Sequence, residues 1–270
     1  FDKNPQYLLD RAEDAGLMIH VGLGFRQVRS GYYDKDEEGA IDKQEREILN
    51  IVSKFKNHPA VLCWCIGNEF EINHQNKPLT AQYESIQRIA EKIHEMDPHH
   101  PVTLAVTAAM PEPKRYGLEE ICTDLDFLSV NTYLTINNEP KASENLTAAG
   151  WTKGFVCTEF GPAGWWNHEK FPERRYTSWG AVIDLTSSEK EALYEKNLKS
   201  LLADPRCMGT SVFLWGNQTS NLDEVKEWYG IVDKNGYTYG VVDVMQRYWT
   251  GHAPVVKAPR IESRADMTMN

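Results

Sequence analysis

Residues 60–70 read "AVLCWCIGNEF". Seven apolar residues run without a break from Ala60 to Ile66, and the chain then turns to Gly67, Asn68 and Glu69. An uninterrupted apolar run of this length suits a strand buried on both faces, as in a parallel sheet covered by helices. A carboxylic acid at the rim of such a strand costs free energy unless it is solvated, paired or used. The stretch therefore bears on the fold and on the chemistry together.

On either side of it the pattern alternates. The helix-like "PQYLLDRAEDAG" (5–16) leads into "LMIHVGL" (17–23), and a helical pattern over about 42–56 precedes the run at 60–70. "LTAQYESIQRIAEKIHEMD" (79–97) places Tyr83, Ile86, Ile89, Ala90 and Ile93 at helical spacing, and Pro98 stops it. Strand-like runs follow at "PVTLAV" (101–106), "FLSVNTY" (127–133), "GFVCTEF" (154–160) and "GTSVFLWG" (209–216). Between and after them come a short helix near 143–149, "SSEKEALYEKNLKSLLA" (187–203) and the helix-like "YGVVDVMQRYW" (239–249). Six apolar strands with helices between them imply right-handed βαβ units and a parallel sheet.

Two arrangements of that sheet compete. A doubly wound, nucleotide-binding sheet needs a glycine-rich turn after its first strand. Gly22-x-Gly24 lacks the third glycine and has no helix directly after it. Several strands end instead in polar or aromatic residues: Asn68 and Glu69, Asn131 and Tyr133, Glu159, and Trp215. A (β/α) barrel gathers its chemistry in this way, from the C-terminal ends of many strands. The barrel is favoured, as an α/β domain over residues 1–252, with 253–270 an aperiodic tail or linker.

Composition narrows the partners. The chain has 270 residues, 41% hydrophobic, enough to bury a full core. Its net charge of −10 argues against a nucleic-acid partner, which wants a basic face. No apolar segment approaches the roughly 20 residues of a membrane span, and residues after Phe1 carry no signal-peptide pattern. Cys63, Cys65, Cys122, Cys157 and Cys207 read as free thiols, since Cys63-x-Cys65 has neither zinc nor redox spacing. No His/Asp/Glu cluster with metal-ligand spacing stands out, and no cofactor motif is present. The pair His99-His100 precedes a strand and so belongs to the non-catalytic end of a barrel.

Two strands end in glutamate, at Glu69 in "CWCIGNE" and Glu159 in "FVCTEFG". Two carboxyls facing one cavity are the minimum apparatus for cleaving a glycosidic bond. One protonates the leaving oxygen; the other attacks the sugar carbon or activates water. The long loop "GPAGWWNHEKF" after Glu159 adds Trp165 and Trp166, aromatic surfaces suited to sugar subsites. His20, mid-strand in "MIHVGL", is an interior histidine that can also line such a pocket.

"NHPAVLCWCIGNE" and "VCTEFG" resemble the glycoside hydrolases of clan A, in particular the family 2 type of (β/α)8 barrel. "MDPHHPV" and "WYGIVDKNGY" extend the likeness over most of the first 250 residues. The resemblance implies that Glu69 is the acid/base and Glu159 the nucleophile of a retaining mechanism. It implies that Asn68 binds the sugar 2-hydroxyl, that Tyr133 donates to the nucleophile, and that Trp215 lies under the sugar. Counted against the family, "LMIHVGL" matches strand three, so this chain holds about six of eight βα units, strands three to eight. An arginine usual near the end of strand two is missing with the first two strands. An incomplete barrel exposes sheet edges, which opens a route to self-association.

The reading is a retaining glycoside hydrolase that cleaves β-linked, neutral oligo- or polysaccharides without a cofactor. Such a substrate favours a secreted or periplasmic location. Two alternatives fit the same residues: a transglycosylase, and a carbohydrate-binding barrel without catalysis.

Overall fold

A computed structural model describes residues 4–26, 39–71, 79–107, 117–134, 142–162, 176–180, 183, 185–219, 225–227 and 229–258. Helix α1 (Pro5–Asp14) begins where the sequence supplies its cap: the Asn4 side chain accepts the Tyr7 N–H at 3.2 Å, and Pro5 takes the first helical position. Strand β1 (Ile19–Gly22) leads to α2 (Ala40–Phe55), and β2 (Val61–Asn68) to α3 (Thr80–Met96). Then come β3 (Val102–Thr107), α4 (Leu118–Ile121), β4 (Phe127–Leu134) and α5 (Ala142–Ala148). Strand β5 (Phe155–Pro162), α6 (Ser187–Ala203) and β6 (Cys207–Val212) complete the main alternation. A two-stranded antiparallel pair, β7 (Gln218–Thr219) and β8 (Val225–Glu227), precedes α7 (Gly240–Thr250).

The six strands hydrogen-bond in the order β1-β2-β3-β4-β5-β6. A doubly wound sheet reverses its order at a switch point, whereas consecutive parallel neighbours joined by helices are the order of a (β/α) barrel. The fold is an incomplete TIM barrel of six βα-type units, in agreement with the sequence. No helix among the described residues is long and apolar enough to cross a membrane.

The chain divides into two compact units. The first comprises Phe1–Asn131, Lys141–Thr158 and Asp204–Gly209. Its core is the apolar run of β2 with α3 against it. Val61, Trp64, Ile66, Ile86, Ile89, Ala90 and Ile93 have no exposed surface, and Tyr83 only 1%. The α3 stripe read from sequence is thus the buried face. The inner face of α2 also carries Glu45, which accepts from Ser85 Oγ at 2.8 Å and from Arg88 Nη2 at 2.6 Å on α3. At the N-terminal end of β3, Asp97 accepts the Trp64 indole N–H at 2.7 Å and lies 2.8 Å from His100 Nδ1. The "MDPHHPV" segment is therefore a brace beneath the strands. The second unit comprises Thr132–Pro140, Glu159–Ala203 and Thr210–Asn270. Phe160, Leu193, Tyr194, Leu198, Ile231, Val241, Val244 and Met245 form its core. Ala258 N–H donates to Asp243 Oδ2 at 3.0 Å, tying the start of the C-terminal tail back to α7.

Strand β6 differs from its reading. The sequence places it at 209–216, but it spans Cys207–Val212. The carbonyls of Leu214 and Trp215 turn away to accept the Ile231 N–H at 3.1 and 3.0 Å, and Val232 N–H also donates to Trp215 at 2.9 Å. A local partner takes the backbone out of the ladder there. None of the five cysteines forms a disulfide.

Candidate active site

The C-terminal end of β2 is anchored by Asn131 on β4. Asn131, 2% exposed, donates its Nδ2 to Asn68 Oδ1 and to Glu69 Oε1, each at 3.0 Å, and its Oδ1 accepts Thr158 Oγ at 2.9 Å. One buried amide thus ties the end of β2 to the middle of β4 and β5 in the first unit. Because Asn68 Oδ1 is committed to Asn131, the Asn68 amide nitrogen is the end of that exposed side chain left to donate elsewhere.

Glu69 has unusual backbone geometry. Its φ is +48°, the left-handed region that a non-glycine residue adopts rarely and that clusters at functional sites. The pairing of β2 with β3 loses its regular register between Cys65 and Asn68, and Glu69 N–H then donates to Ala105 O at 2.9 Å. Burial raises the Glu69 carboxyl above its ordinary pKa, opposed by the Asn131 hydrogen bond. Gly67, just before this turn, admits Phe25: a Cβ there would lie 2.8 Å from Phe25 Cβ.

Glu159, on β5 in the second unit, is treated differently. The Tyr133 hydroxyl donates to its Oε2. The Tyr133 ring is held edge-on by Phe213, centroids 5.5 Å apart at 84°, and by Tyr229, 6.2 Å apart at 60°. Phe213 and Tyr229 pack on each other at 5.8 Å. Beyond Glu159, Gly161 leaves room for Tyr194, whose hydroxyl would lie 2.9 Å from an added Cβ and donates to Phe213 O at 2.7 Å. Burial pushes the Tyr194 hydroxyl pKa up, so it stays a donor.

The remaining residues singled out in the sequence are placed as follows. His20 lies half-buried on β1, its Nε2 3.3 Å from Ser129 Oγ and its ring edge-on to Phe127 at 6.3 Å. Burial lowers it to about 4, so it is neutral. Ser129 precedes Asn131 by one pleat of β4, which puts His20 one layer toward the N-terminal end of the strands. Trp215 stands beyond the end of β6 with 64% of its surface exposed, so it is not a core residue. Trp165 and Trp166 lie outside the described residues. Among the described residues no group of three or more His, Cys, Asp or Glu could hold a metal.

Sequence reading missed four participants: Thr158, Phe213, Tyr229 and Glu71. Thr158 could have been suspected from its place before Glu159, and Tyr229 from "WYGIVDKNGY"; nothing local distinguishes Phe213. Glu71 is 2% exposed, with Oε1 accepting Thr107 N–H at 2.8 Å.

Comparison with known proteins gives the following likenesses. Residues 1–165 match the family described as glycosyl hydrolases family 2, TIM barrel domain. A β-glucuronidase of Paenibacillus borealis is 23% identical over 174 residues, 57% of this chain and 27% of that protein. Among solved structures, a β-glucuronidase of an uncultured Clostridium sp. superposes with a TM-score of 0.67 at 16% identity, over 92% of this chain and 42% of its own. The β-galacturonidase of Eisenbergiella tayi bound to galacturonate gives 0.63 at 15% identity, over 92% of this chain and 43% of its own. The chain thus spans less than half the length of these relatives, and at these identities the structural likeness speaks for the fold. The match covers more than half of the chain and agrees with the strand order: the chain belongs to the TIM-barrel domain family of glycosyl hydrolases family 2.

Proposed function

We propose that this chain carries the catalytic residues of a retaining β-glycosidase, with Glu69 the acid/base and Glu159 the nucleophile. One observation carries the reading: the two glutamates sit in different environments, one a half-buried carboxyl beside an amide, the other bonded to a tyrosine hydroxyl. Burial favours the protonated form of Glu69, while the Tyr133 hydroxyl donates to the Glu159 carboxyl and fixes its orientation. A carboxyl that keeps its proton and a second one held in place as an acceptor suit an acid and a nucleophile for the first step.

In that step Glu69 gives its proton to the glycosidic oxygen as a Glu159 carboxylate oxygen bonds to the anomeric carbon, and the alcohol leaves. Glu69, now ionised, takes a proton from water, whose oxygen displaces Glu159 and releases the sugar. Transglycosylation differs only in that a sugar hydroxyl replaces water. Asn68 would bind the sugar 2-hydroxyl, and Asn131, read with it from the sequence as a sugar-binding residue, would serve by holding Asn68 and Glu69 in place. The exposed Trp215 face, Trp165, Trp166 and His20 would line the subsites. The domain assignment, 1–252 with a tail at 253–270, and self-association through the outer edges of β1 and β6, which no described strand pairs, belong to the same proposal.

We take the substrate to be a neutral β-glycoside. Phe213 and Tyr229 pack edge-on against Tyr133, an apolar surface suited to a sugar ring, and a chain of net charge −10 favours a neutral ligand over an anionic one. The names of the relatives offer the competitor, a β-linked uronide. A panel of aryl β-glycosides, neutral and uronic, separates the two in the full-length protein. Turnover of a neutral sugar is expected, and turnover of the uronide alone contradicts this part. Glu159→Gln should lower kcat by at least about 10³-fold while the protein stays folded; near-normal activity in that variant refutes the assignment.

A further inference from the structure

Glu71 poses a problem that its role as a staple does not answer. It is 2% exposed; one carboxyl oxygen accepts the Thr107 N–H at 2.8 Å, and the other has no hydrogen-bond partner. An asparagine, glutamine or threonine could satisfy a single N–H without burying an ionisable group.

The surroundings suggest what the carboxyl is for. Along β3, Ala105 and Thr107 are successive positions on one edge of the strand. Ala105 O accepts Glu69 N–H at 2.9 Å, as a ladder partner would. The chain then leaves the ladder, because Glu69 adopts φ +48°. Phe70 turns inward with no exposed surface, its ring edge-on to Phe25 at 5.6 Å and to Tyr83 at 5.7 Å. Thr107 N–H has thereby lost the β2 carbonyl that a continuing strand would offer, and the Glu71 carboxyl takes that place. Glu69 is held between two fixed points, the Phe70 ring on one side of the turn and the Glu71–Thr107 bond closing it.

We propose that Glu71 is a positioning residue for Glu69: it closes the left-handed turn that keeps the Glu69 carboxyl on Asn131 and directed for proton transfer. This rests on Glu69 being the acid/base. Burial, opposed by bonds from Thr107 and from its own backbone and reinforced by the charge of Glu69, pushes Glu71 up to about 7. Glu69 is the charged group that faces Glu71 among the described residues. Below about pH 7 Glu71 is therefore mostly protonated, and glutamine is its closest neutral stand-in.

The test uses the full-length protein and two aryl glycosides of the sugar selected by the panel. A 2,4-dinitrophenyl leaving group needs little protonation, whereas a phenyl leaving group needs the acid. Glu71→Met removes the acceptor but fills the space. It should lower kcat/KM for the phenyl glycoside by about 10- to 100-fold and for the dinitrophenyl glycoside by no more than about threefold. Glu71→Gln should recover the phenyl rate to within about threefold of the parent. Where circular dichroism shows Glu71→Met unfolded, Glu71→Asp, one methylene short, should give the same split. Equal losses on both substrates, or no loss on either, overturn the proposal. Glu69→Gln is the control: a parent enzyme that turns over neither glycoside, or a control without the leaving-group split, overturns the site assignment itself. A normal parent and control with an unsplit Glu71 variant overturn only the role of Glu71.

Discussion

At the scale of single residues, the chemistry concentrates where local rules are broken. Glu69 is a non-glycine residue at φ +48°, and two positions on stands a carboxyl buried to 2% exposure. Glu71 titrates near 7 when folded against 4.5 ordinarily, so between those values the folded chain holds a proton that the unfolded chain has released. The stability this contributes is full below pH 4.5 and lost as pH rises through about 7. Urea melts across that range should show stability falling in the parent, and Glu71→Gln should flatten this part of the profile; an unchanged slope contradicts the assignment. Glu69 and Glu159 were legible in sequence because each closes a strand-like run beside a glycine. Glu71 was not, because its meaning lies in a bond to Thr107, 36 positions away on the next strand.

At the scale of elements, β2 and α3 were readable because each carries an unambiguous period. The β2 run is apolar on both faces, and the α3 stripe recurs at helical spacing and is buried as read. The end of β6 was not readable: "SVFLWG" looks like strand to its last residue, but residues 231–232 claim its carbonyls from a distance in the chain. Asn131 likewise looked like one polar strand end among several, whereas it bonds three elements at once. The glycines beside the glutamates have a packing reason. A Cβ on Gly67 would meet Phe25 Cβ at 2.8 Å, with the buried Phe25 ring already packed against Phe70. Gly67→Ala should therefore destabilise the fold by about 1–3 kcal/mol, read as a lower denaturation midpoint at constant m-value. A change within about 0.5 kcal/mol would show that Phe25 can move away from β2 without cost.

At the scale of the molecule, barrel order follows from the succession of six parallel strands, each neighbour in sequence a neighbour in the sheet. Within the first unit, the Thr158 hydroxyl belongs to the Asn131 network that holds Glu69. The fold is shared with a β-glucuronidase and a β-galacturonidase, and a fold does not by itself fix the sugar, so fold and specificity are separate questions. The central claim is that Glu159 attacks the sugar. Incubating the full-length protein with the 2,4-dinitrophenyl 2-deoxy-2-fluoro-β-glycoside of its preferred sugar, followed by peptide mass spectrometry, tests this directly. The account predicts a covalent fluoroglycosyl adduct on Glu159 that forms as activity is lost. An active enzyme that forms no adduct, or forms it on another residue, would contradict it.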